Sequence, residues 1–256
     1  MRQRDEFYIG WSAKSPPGIG RTVRMSVTAL LTAVLVAAVV LARSQRTIGA
    51  SAFEWGNHKT INGVLRARPY PQLLVPRPGN ANGQSSFSTY YLVAVWKFGL
   101  PPEAVAPFDG KTVNVQGTLI YRDNETMIET RPDWIREATI STPLQPPSGP
   151  VSLGRQTLVG EIVDSKCYLG VMNPGEFTPH RACAIRCIRG GIPPVLVVRH
   201  KTGPPLYCLL ISAEGKPVNR DVLDLVAEPV EITGEVVREG DRLILRADPA
   251  TYRRTH

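Results

Sequence analysis

The sequence predicts a mainly β protein: an N-terminal transmembrane helix followed by two tandem OB-like five-stranded barrels, the second with a short Cys/His-bearing helical insertion. Three observations predict it: a pattern that occurs twice, one long uncharged run, and turn residues spaced for short strands. The first copy of the pattern reads Thr60-Ile61-Asn62-Gly63-Val64-Leu65, then Tyr90-Tyr91-Leu92-Val93, then Gly117-Thr118-Leu119-Ile120. The second reads Thr157-Leu158-Val159-Gly160-Glu161-Ile162, then Leu206-Tyr207-Cys208-Leu209, then Gly234-Glu235-Val236-Val237. Gly63 and Tyr91 lie 28 positions apart and Gly160 and Tyr207 lie 47 apart, so the second copy holds 19 more residues, His180, Cys183 and Cys187 among them. Loops accept insertions that scaffolds reject, so the surplus marks where chemistry was added.

Met25 to Ala42 is a run of 18 residues without a charge. As a helix it is about 27 Å long at ~1.5 Å per residue, close to the ~30 Å hydrocarbon core of a bilayer. A cleaved signal peptide fits less well, because 24 residues precede the run and the nearest small-x-small site, Ala50-Ser51-Ala52, lies well beyond it. Arg2, Arg4, Lys14, Arg21 and Arg24 precede the run, whereas Arg43 and Arg46 are the only basic residues in the fifteen that follow. That excess favours a cytoplasmic N-terminus. The expected location is the bacterial inner membrane, single-pass, with the C-terminal region periplasmic. The net charge of +8 divides into +3 before the run and +5 after it. Basic residues after the run are interspersed with acidic ones, which suits a solvated face near anionic lipid and not nucleic acid. The expected segments are 1–24 cytoplasmic, 25–42 transmembrane, 43–142 first OB-like domain, 143–152 Pro-rich linker and 153–256 second OB-like domain.

In the first copy, 59–66 and 72–75 read as strands, 88–97 as a longer one, and 111–121 with 125–130 as a hairpin turning at Arg122-Asp123-Asn124. Pro101-Pro102-Glu103-Ala104-Val105 can start a short helix between the third and fourth strands. The second copy repeats the order: 156–163, a short strand near Cys167, 194–199 as an extra strand, 206–212, 230–238 and 242–247. Its helix slot is Asn219 to Val226, with Asn219 as a capping residue. Trp55, Trp96 and Trp134, all in the first copy, are read as core or interdomain packing.

All four cysteines fall in the second copy. Cys208 aligns with Leu92 in a strand and reads as a small hydrophobe. His180, Cys183 and Cys187 stand at i, i+3 and i+7, one face of a helix from Arg181 to Ile188 that follows Pro179 and stops at Gly190-Gly191. With Cys167 from a nearby loop they would complete a tetrahedral zinc site or bind copper(I). Two alternatives stay open: a structural disulfide from Cys167 to Cys183 or Cys187, natural in an oxidising compartment, and a reversible redox thiol. A bridge between Cys183 and Cys187 inside one helix would be poorly directed, and the Cys-x-x-Cys-His haem motif is absent. Neither Gly-x-Ser-x-Gly nor His-Glu-x-x-His occurs. A nucleophile pair of His180 with Cys183 or Cys187 is a further alternative, and Asp164 could orient a partner.

Phe7-Tyr8-Ile9-Gly10 through Pro16-Pro17, and Cys167-Tyr168-Leu169-Gly170 through His180, Cys183 and Cys187 to Gly190-Gly191-Ile192-Pro193-Pro194, resemble segments of uncharacterised single-pass bacterial membrane proteins with an extracytoplasmic OB-like region. The resemblance implies an inner-membrane protein and marks Cys167, His180, Cys183 and Cys187 as the candidate site. The expected role is a membrane-anchored binding or assembly module with a protein partner in the inner membrane or periplasm, accessory to a membrane oxidoreductase complex, rather than an enzyme. The rival roles are a thiol-disulfide oxidoreductase and a disulfide-stabilised docking domain. A periplasm-dependent reporter fused after His256 is expected to be active, and a cytoplasm-dependent one silent; the reverse pattern would invert the orientation.

Overall fold

The computed structural model describes residues 15–44, 50–77, 86–138, 149–200 and 203–255. The segment Phe7 to Gly10 and the linker positions 143–148 lie outside the described residues. The chain divides into two compact units, Met1–Ile48 and Gly49–His256. The first holds α1 (Pro17–Ser44), long and apolar enough to cross a membrane. Its leucines and valines, such as Leu30, Leu31 and Val34, bury nothing within the protein.

The second unit is built from strands. β1 (Ser51–Arg66), β2 (Gln72–Arg77), β3 (Ser86–Ala94), β4 (Thr112–Arg122) and β5 (Glu125–Glu137) close in the order β1-β2-β3-β5-β4. Only β3 and β5 run parallel, and α2 (Pro102–Val105) separates β3 from β4, begun by a proline at its first turn. β6 (Val151–Asp164), β7 (Pro194–Val198), β8 (Leu206–Ile211), β9 (Pro229–Glu239) and β10 (Arg242–Arg246) trace the same circuit: β6 with β7, β7 with β8, β8 parallel to β10, β10 with β9, and β9 back to β6. The two sheets are separate, and both hold residues of the pattern that recurs in the sequence. Its glycines mark close crossings. A Cβ at Gly63 would stand 2.5 Å from the Leu74 carbonyl oxygen, and one at Gly160 2.5 Å from that of Val197.

The structure corrects several local expectations. Cys167 lies on no strand but opens a wide helical turn, Cys167–Val171, because the Asp164 carboxylate accepts the Cys167 N–H at 2.8 Å and draws it off the ladder. β7 is not an extra strand; it takes the place that β2 holds in the first barrel. The helix expected from Asn219 shrinks to the tight turn Leu223–Leu225, since the Asn219 amide donates to the carbonyls of Ile188 and Ile192 at 2.8 Å instead of capping. β3 stops at Ala94, ahead of Trp96, whose φ of 62° breaks the extended chain. Trp55 and Trp96 are 75% and 78% exposed, so they are not core; Trp134 is partly buried and meets His58 edge-on at 4.8 Å.

Within residues 49–256 the two barrels share a core. Tyr70, Tyr91, Val93, Ile120 and Met127 of the first pack in one cluster with Val163, Cys167, Leu169, Cys187 and Ile192 of the second. Polar contacts tie the same junction. The Tyr70 hydroxyl accepts the Val218 N–H at 3.1 Å, Asp241 accepts the Thr89 N–H at 3.0 Å, and buried Arg242 pairs with Glu125 while donating to the Thr89 carbonyl at 2.8 Å.

Candidate metal centre

The insertion folds as the Cys167–Val171 turn followed by α3 (Phe177–Arg189), entered from extended Glu176 and ended where Gly190 closes back on Arg186. The expected helical face exists and is turned inward: His180 and Cys187 are buried and Cys183 is half-buried. The helix stands against the end of β6, which supplies Asp164, and against the turn after β3, which supplies Lys97.

Ligand atoms of Cys167, His180 and Cys183 lie within 4.8 Å of one another, and so do those of Asp164, Cys167 and Cys187. Cys167 is common to both sets. All four cysteines are free thiols, and the Cys167 and Cys187 sulfurs are 4.0 Å apart, about twice a ~2.05 Å disulfide bond. The expected bridge from Cys167 to Cys183 or Cys187 is therefore not formed. A thiol hydrogen bond holds the two buried sulfurs instead. A separation near 4 Å is what two sulfurs keep when each sits ~2.3 Å from one tetrahedral ion.

Asp164 organises the cluster. One carboxylate oxygen takes the Cys167 N–H and the other lies 2.9 Å from the His180 Nε2. A carboxylate on one ring nitrogen fixes the imidazole and leaves the other nitrogen for a metal. Cys187 is lowered below the usual thiol range by the hydrogen bond from Cys167 and, more weakly, by the charge of Lys97. Cys167, as the donor, is raised by that hydrogen bond, by burial and by Asp164. A metal binding both sulfurs would displace their protons.

Two lysines complete the surroundings and escaped the sequence reading. Lys97 Nζ lies 2.7 Å from the Cys183 sulfur and 4.0 Å from that of Cys187, and its pKa is raised chiefly by the Cys183 contact. Lys166, fully buried beside Cys167, pairs with Glu129 and donates to the carbonyls of Ala94 and Trp96 at 2.9 and 2.7 Å. Cys208 stands apart from all of this. It packs with Leu196, Leu210 and Leu245 in the second barrel, where burial pushes its thiol up to about 11.

No protein-family model matches the chain, and no curated protein does. Among solved structures, a deletion mutant of the single-stranded DNA binding protein from Thermus aquaticus is similar at 15% identity over 82% of this chain and 89% of that one, with a TM-score of 0.21. A likeness of that size carries no weight for function.

Exposure separates the thiols, with Cys183 half-buried and Cys208 wholly buried. In the reduced, metal-free protein, alkylation followed by peptide mapping should modify half-exposed Cys183 first and Cys208 last. Labelling of Cys208 as fast as Cys183 would contradict this packing.

Proposed function

We propose that the protein is a membrane-anchored, extracytoplasmic binding or assembly module whose Cys/His cluster holds a thiophilic metal ion, zinc or copper(I). The observation that carries the reading is the convergence of Cys167, His180 and Cys183 within 4.8 Å, with Cys187 4.0 Å from Cys167, in a largely buried setting. Thiolate and imidazole donors suit zinc and copper(I) and disfavour the hard cations. Asp164 supports the site from behind His180, and the Lys97 ammonium offsets the negative charge that thiolate ligands accumulate. Cys183, the most exposed of the sulfurs, gives the ion its way in.

Anchoring is supported by α1 and its uncharged centre, and a periplasmic placement of residues 49–256 by the flanking arginines. The tandem repeat supports a scaffold role, with the second copy specialised for the ion. A thiol-disulfide oxidoreductase is the second reading, favoured by the contact of Lys97 with half-exposed Cys183, a setting in which thiolates become reactive.

Metal analysis of the full-length protein in detergent should find about one zinc or copper per chain, as a single four-ligand site binds. Cys167→Ser and Cys183→Ser should lose it. Asp164→Asn should weaken affinity by roughly 10- to 100-fold, and Cys208→Ser should retain the metal. A reduced protein that takes up neither ion would contradict the proposal.

A further inference from the structure

Lys97 is carried on a turn that the fold clamps against α3. On one side, Lys166 holds the carbonyls of Ala94 and Trp96. On the other, the Gly99 N–H donates to the Gly190 carbonyl at 2.9 Å, and a Cβ at Gly190 would collide with the Lys97 carbonyl oxygen. Between these clamps Trp96 holds a φ of 62°, a conformation that a bulky residue adopts only when its surroundings enforce it.

From this turn the Lys97 side chain brings its Nζ to 2.7 Å from the Cys183 sulfur. Hydrogen bonds from nitrogen to oxygen run about 2.7 to 3.2 Å, and sulfur is the larger atom, so this approach is short even for a hydrogen bond. Cys183 is also the most exposed sulfur of the cluster, so a small oxidant reaches it before Cys167 or Cys187.

We propose that Lys97 and Cys183 form a covalent modification site: in the metal-free protein, dioxygen joins them through one oxygen atom as an N–O–S bridge between the two barrels. The Lys97 ammonium first gives its extra proton to water; the thiol S–H bond and one N–H bond of the resulting amine then break, and an S–O and an O–N bond form. The second oxygen atom leaves as water with both hydrogens. Sulfur and nitrogen each give up two electrons, and the single dioxygen takes up all four. The bridge rests on the nitrogen–sulfur geometry and not on the metal reading. A bound ion would engage the Cys183 sulfur and protect it.

The test uses full-length protein purified in detergent without oxygen, reduced and stripped with a chelator. One portion is titrated with zinc, and the rest is held in air, digested and mapped by mass spectrometry. The expected product is a joined pair of peptides containing Lys97 and Cys183, heavier than their sum by one oxygen less two hydrogens. Excess thiol should release it, prior zinc loading should suppress it, and K97R and C183S should lack it while keeping the circular dichroism of the parent. Five results would overturn the bridge: a disulfide among the cysteines, a sulfinic Cys183 beside unmodified Lys97, a direct S–N bond without oxygen, no change in air, or the same joined pair in K97R. Zinc uptake without cross-linking would remove this proposal and leave the metal site standing. Cross-linking in a protein that takes up neither zinc nor copper(I) would do the opposite.

Discussion

The buried ammonium of Lys166 is the constraint on which the junction of the two barrels depends. A lysine shut away from water is tolerable only when its charge is paired and its protons are all placed. Here Glu129 of β5 supplies the charge, and the carbonyls of Ala94 and Trp96 supply the remaining acceptors, all from the first barrel. Lys166 itself belongs to the second barrel, one residue before Cys167. The same residue therefore docks the barrels, sets the turn that aims Lys97, and positions the backbone of a cluster cysteine. Losing it would leave Glu129 buried without a partner and two carbonyls unsatisfied, so the docking and the cluster would fail together.

The cluster residues all belong to the second barrel, and the first barrel completes their surroundings at the junction. β6 brings Asp164, the insertion brings Cys167, His180, Cys183 and Cys187, and the first barrel brings Lys97 across the interface. In the first copy the short connection between β1 and β2 sends Tyr70 into the shared core. One copy of the barrel thus serves as the wall against which the other's added residues are held.

Features with a local period or a local repeat were legible in the sequence. The glycines at 63 and 160 stood out through duplication and prove to be close strand crossings. The spacing of His180, Cys183 and Cys187 announced one helical face, and Asp164 was suspected as an orienting group from its nearness to Cys167. What stayed hidden depends on contacts between the copies. Lys97 and Cys183 are 86 residues apart, and no pattern in either segment shows that the barrels share a core. Asn219 looked like a helix cap because its competing acceptors, the carbonyls of Ile188 and Ile192, come from another part of the chain. Trp96 looked like core because composition carries no sign of the positive φ that turns it outward.

The central claim is that sulfur and imidazole converge on one ion at this junction. X-ray absorption at the metal edge, recorded on full-length protein as purified, tests it most directly. The account predicts a first shell dominated by sulfur at about 2.3 Å with a single imidazole nitrogen. A shell of oxygen and nitrogen alone, with no sulfur, would place the metal elsewhere on the chain and contradict it.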